Sequence, residues 1–144
     1  MFAAHDLIEM INQNRSIDYW YDDRLELACN IFKNLDHKEF STLLSTWQNR
    51  SDDWNLRFAT VLNCRECAET AKILSQIIGS ENYLTASIAL TELAAFESKD
   101  AIRSVKDLNV VLDNFDQRFC GRPSGKDDYF DQIYHLKAIL ISDC

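Results

Sequence analysis

Glycine and proline are the residues this chain most conspicuously avoids. It has three glycines, at 79, 121 and 125, and a single proline, Pro123. A β-sandwich or a doubly wound sheet needs many more turn formers than that. The long stretches between these breakers are filled with Leu, Ala, Ile and Glu, which favour helix. The fold class expected is all-α.

Apolar residues recur at the i, i+3, i+4, i+7 spacing of a buried helix face almost from end to end. Ala4, Leu7, Ile8 and Ile11 mark a first helix, Leu25, Ala28, Cys29 and Phe32 a second, and Phe40, Leu43, Leu44 and Trp47 a third. Trp54, Phe58, Val61 and Leu62 give a fourth, and Cys67, Ala71, Leu74 and Ile78 a fifth. The segment from Tyr83 to Phe96 is apolar almost all round and is expected to be the most buried. Ile102, Val105, Leu108 and Leu112 predict a seventh helix, and Tyr129, Ile133, Leu136 and Leu140 an eighth.

The pattern also repeats along the chain. At a shift of about 31 residues Phe40 falls on Ala71 and then Ile102, and Leu43 on Leu74 and Val105. Acidic or amide pairs, Asp22-Asp23, Asp52-Asp53 and Glu81-Asn82, precede alternate helices, and Asp127-Asp128 opens the last. The run WNLRFATVLNCRECAETAKILSQIIGSENYLTASIALTELAAFESKDAIRSVKDL, from Trp54 to Leu108, resembles the short HEAT-like repeats. It shares their small packing residues (Ala59, Ala86, Ala89) and a small or acidic turn, Gly79-Ser80-Glu81. It differs from the fuller HEAT pattern in its shorter period and in lacking proline at the first helices. The resemblance implies a right-handed stack of antiparallel helical hairpins, an α-solenoid of about eight helices. Residues 1–144 then form one domain: 1–21 an N-terminal cap, 22–114 three hairpin repeats, 115–126 a loop and 127–144 a capping helix.

Acids outnumber bases by 23 to 15, for a net charge of −8. That balance argues against nucleic acid or an anionic membrane as a partner and suits a basic protein. No apolar run approaches the roughly 20 residues of a membrane span. The first residues lack the basic and apolar regions of a signal peptide, which predicts a cytoplasmic protein. Cys29, Cys64, Cys67, Cys120 and Cys144 are odd in number and unevenly spaced, so they are expected to be reduced.

Motifs of chemistry are weak. Cys64-Arg65-Glu66-Cys67 is a C-x-x-C without a second ligand pair and without a preceding strand, so buried packing cysteines are expected there. GRPSGKDD, residues 121–128, looks like a phosphate loop but has three residues between its glycines, and Asp127 stands where magnesium would need Ser or Thr. It reads as a helix stop followed by a cap. His5, His37 and His135 lie far apart in sequence, and Asp36 is expected to cap the helix that holds His37. No catalytic residue, metal ligand or cofactor is assigned, and an enzyme is not expected.

Aromatic residues cluster at the acidic pairs. Tyr19, Trp20 and Tyr21 precede Asp22-Asp23, Trp54 follows Asp52-Asp53, Tyr83 lies just beyond Glu81, and Tyr129 follows Asp127-Asp128. In a hairpin stack these loops share one edge, which predicts a rim of acids and rings able to bind a basic partner. The competing reading is that the rings staple hairpins from inside while the acids cap helices. In size, charge and resemblance the chain is similar to immunity proteins of bacterial toxin–immunity systems, which implies a toxin-neutralising binding module whose partner is a basic, nuclease-like toxin domain. The alternative is a HEAT-like scaffold or adaptor, including one that self-associates as a homodimer. HEAT-like repeats also occur in bilin lyases and alkylation-repair glycosylases, for which this chain is short and lacks a basic groove.

Overall fold

The computed structural model describes residues 4–12, 19–119 and 128–141. Among them lie nine α-helices and no strand, so the fold is all-α. They are α1 (Ala4–Asn12), α2 (Leu25–Asn34), α3 (His37–Leu44), α4 (Asp52–Leu62), α5 (Ala68–Ile78), α6 (Tyr83–Ala94), α7 (Lys99–Arg103), α8 (Leu108–Phe119) and α9 (Asp128–Ile141). A π-helical turn, Trp20–Arg24, leads into α2, and a 3-10 turn, Trp47–Asn49, precedes α4.

Helix starts are set by short polar side chains that accept an otherwise orphaned N–H. Asp36 accepts from Glu39 N at 2.8 Å, Ser51 from Trp54 N at 3.2 Å, Asn82 from Thr85 N at 3.0 Å and Ser98 from Ala101 N at 3.2 Å. Asn82 of the Glu81-Asn82 pair is thus a cap, whereas Asp22-Asp23 and Asp52-Asp53 are not the caps expected of them. Asp52 and Asp53 sit in the first turn of α4, one step inside the Ser51 cap, where the helix dipole still favours them. Asp22 and Asp23 lie within the π-helical turn, and neither side chain caps α2.

The expected seventh helix is two. Ser104 ends α7, and Asp107 takes a left-handed φ of 58° before α8 begins, a conformation that Asp tolerates better than most residues. Ile102, Val105, Leu108 and Leu112 are all buried regardless of the break. Their spacing reports which residues face the core and is blind to a corner placed between them. The expected loop over 115–126 also starts too early, because α8 runs on to Phe119 and buries Phe115 and Phe119. Gly121, Pro123 and Asp127 lie outside the described residues.

α6 packs on α4, α5 and α9, with Ala86 and Ala89 fully buried at its close approaches. It is not the most buried helix, since it buries five residues where α4 and α5 bury seven each. Leu84 and Thr91, on its outer side, face solvent. Side-chain hydrogen bonds tie segments 29 to 33 residues apart: Arg65 to the Phe32 and Leu35 carbonyls, Asn63 to Glu92 O, Glu66 to Ser98 N and Thr85 to Asp52 O. Segments about 30 residues apart thus touch at these points.

Cys29 and Cys64 form a disulfide across Cα atoms 5.6 Å apart, so the expectation of reduced thiols, and of Cys64 as a packing residue, is corrected. The spacing of 35 residues gave no hint of it, because the pairing depends on how α2 lies against the end of α4. Cys67 is free and half-buried at the start of α5. No helix among the described residues is long and apolar enough to cross a membrane.

Candidate partner-binding surface

The YWYDDR stretch is organised by its tryptophan. Trp20 is buried, and its indole N–H donates to Thr60 Oγ1 on α4 at 2.8 Å, while the Thr60 hydroxyl donates to the Arg57 carbonyl at 2.6 Å. The wide turn closes with Leu25 N donating to Trp20 O. With Trp20 held inward, the next three residues turn outward: Tyr21 is 44% exposed, and Asp22 and Asp23 are exposed. Arg24 folds back, its Nε donating to Tyr19 Oη at 3.1 Å. A π-turn carries one residue more than an α-turn, and such insertions recur at functional sites.

Glu92 joins this group from α6. Burial pushes its carboxyl up to about 7 from the ordinary 4.5. Burial first, and then the Glu92 charge, raise the Tyr21 phenol above its ordinary value. The charge on Glu92 thus lies close enough to Tyr21 to be felt there, and near neutrality this carboxyl exchanges its proton. Sequence reasoning missed Glu92. The available signal was one acid inside an otherwise uncharged run, TASIALTELAAF.

The remaining expected residues do not join them. Trp20 contacts Thr60, eight residues along α4 from Asp52, a separation of roughly 12 Å at the helical rise. The expected single rim is therefore divided between the two ends of α4. At the N-terminal end, Asp52 Oδ1 accepts from Ser80 Oγ at 3.2 Å, and Asp53 and Glu81 are exposed. The rings there are not displayed. Trp54 is buried against Phe58, with ring centroids 4.9 Å apart. Tyr83 is half-buried against Phe119 at 5.1 Å, and Tyr129 is buried against Phe115 at 5.2 Å. Trp20, Trp54 and Tyr129 are staples, and of the expected rings only Tyr21 is exposed. Asp128 opens α9, and Asp127 lies outside the described residues.

A cleft of about 380 Å³ lies at this N-terminal end, lined by Trp47, Arg50, Asp52, Asn55, Gly79 and Glu81 among others. The Asn55 amide oxygen is buried without a hydrogen-bond partner, as is the Trp54 indole N–H. Trp47, Arg50 and Asn55, which border this cleft, carried no sequence signal for a place there. No group of three or more His, Cys, Asp or Glu among the described residues could hold a metal ion.

Fold and surface together define an all-helical protein with an exposed acidic turn fixed by a buried tryptophan. No protein-family model matches the chain, no curated protein is significantly similar to it, and no solved structure matches it.

Proposed function

We propose that this chain is a protein-binding module that holds a basic protein through Tyr21, Asp22, Asp23 and Glu92. The observation that carries the reading is the Trp20–Thr60 hydrogen bond, which anchors the turn so that a tyrosine and two carboxylates are presented together on a fixed base. Tyrosine is enriched among residues that dominate binding energy. Carboxylates around it steer a basic partner and reject an acidic one, in keeping with the net charge of −8. A fixed turn also loses little entropy on binding.

The form of this function we favour is an immunity protein that neutralises a cognate toxin domain by covering its active or substrate-binding surface, built as a HEAT-like stack of helical hairpins. Hydrogen bonds between segments one period apart support the stacked arrangement. Disulfides persist in oxidising compartments and are rare in the cytosol, so the Cys29–Cys64 bond favours an oxidising compartment over the expected cytoplasm. The second reading, a scaffold that pairs with itself, draws support from an apolar stripe on α9.

Affinity capture with the purified chain at low and high salt tests the main reading. A single stoichiometric basic protein should be retained at low salt and loosened at high salt. The Asp22→Asn/Asp23→Asn variant should lose it while melting like the wild type. Equal capture by that variant would remove the acidic turn from the site.

A further inference from the structure

α9 packs against α6 and α7 and turns Tyr129, Ile133, Leu136 and Ile139 into the core. Its opposite face is apolar as well. Phe130, Tyr134, Ala138 and Ile141 follow one another at helical spacing and are all exposed, Phe130 by 39% and Tyr134 and Ile141 by 78% each. A helix that is apolar on opposite faces is suited to being covered on both. α6 has α4, α5 and α9 packed around it and leaves only a strip with Leu84 and Thr91 to solvent, whereas no described element covers the outer face of α9.

We infer that the outer stripe of α9 is the contact through which two copies of this chain pair, antiparallel about a twofold axis. Three observations favour a second copy. The stripe is self-complementary, as a twofold contact requires: an antiparallel partner would set Phe130 against Ile141 of the partner subunit and Tyr134 over Ala138 of the partner subunit, large against small at the centre. Its charged flank is nearly balanced, with Asp131, His135 and the Lys137–Asp113 ion pair, so it lacks the acidic bias of the Tyr21 turn that would draw a basic protein. Its size also fits. Two rings and an isoleucine offer on the order of 400 Å² per chain, below a standard stable interface, which sets a weak, reversible dimer.

The salt dependence separates this pairing from capture of a basic partner. Two chains of net charge −8 repel one another, so screening strengthens an apolar contact between them, whereas a basic partner at the acidic turn is loosened. Analytical ultracentrifugation of the full chain, over a wide concentration range and at two salt concentrations, provides the test. The average mass should climb from one chain toward two, further at high salt. Tyr134→Glu should lower the association constant about tenfold or more. Val110→Glu, which alters an exposed apolar residue on α8 instead, should leave it unchanged. Thermal melts followed by circular dichroism establish that both variants fold. A wild-type chain that stays monomeric at every concentration and salt overturns the pairing, and so does equal loss in the two variants.

Discussion

At the C-terminal end of α4, Thr60 receives the Trp20 indole, Cys64 is bonded to Cys29, and Arg65 grips the carbonyls of Phe32 and Leu35 at 3.1 and 2.9 Å. At the N-terminal end, five residues before Thr60, Asn55 keeps a buried amide oxygen with no partner beside an open cleft. One helix thus has a closed end and an open end. A buried polar atom left unpaired costs about 1–3 kcal/mol, while a paired one contributes a little to stability and fixes geometry. The closed end is where the acidic turn is displayed, so that turn rests on the more fully bonded end of the helix.

Substitutions at the closed end should be the most damaging. Trp20→Ala removes a buried ring and the donor to Thr60, and should cost about 4 kcal/mol in a urea unfolding titration; a loss under about 1 kcal/mol would show that the turn is not anchored there. Cys29→Ser opens a covalent link between residues 35 apart and should cost about 3 kcal/mol, with chemical reduction of the wild type matching it.

Glu92 lies between these extremes, and its effect depends on pH. Its folded value of about 7 exceeds the ordinary 4.5, so the folded protein holds this proton more tightly than the unfolded chain. The contribution of Glu92 to stability is therefore fully present below 4.5, falls as pH rises toward 7, and is gone above it. Glu92→Gln should raise the melting temperature by several degrees at alkaline pH and leave the acid-side melt nearly unchanged. A stabilisation of equal size at both ends of the range would assign the effect to packing.

The smallest effect belongs to the open end. Asn55→Ala discards a buried acceptor that has no partner, so it should not lower stability and should raise it by up to about 1 kcal/mol. A loss as large as that of Trp20→Ala would mean that the two ends of α4 are built alike.

The helical class was legible because glycine and proline scarcity and apolar periodicity act locally. Asp36 as a cap was legible for the same reason, since the capping bond closes over three residues. The corner at Asp107 was hidden because Val105 stays buried through it, which preserves the spacing that would otherwise have flagged the break. The Cys29–Cys64 bond and the approach of Glu92 to Tyr21 depend on tertiary packing, which no local pattern encodes. The aromatic rings misled for a related reason. Position beside an acidic pair does not say which way a side chain points, and burial claimed Trp20, Trp54 and Tyr129 while leaving Tyr21 outside.

Hydrogen exchange, measured on the chain alone and on its complex with the captured basic protein, tests the central claim most directly. Binding at the acidic turn should slow exchange of amides in residues 20–24 and in α6 around Glu92, with residues 47–55 and 79–82 little changed. Protection confined to the Trp47–Gly79 cleft, with Tyr21 to Asp23 exchanging as in the free chain, would contradict it and move the binding site to the open end of α4.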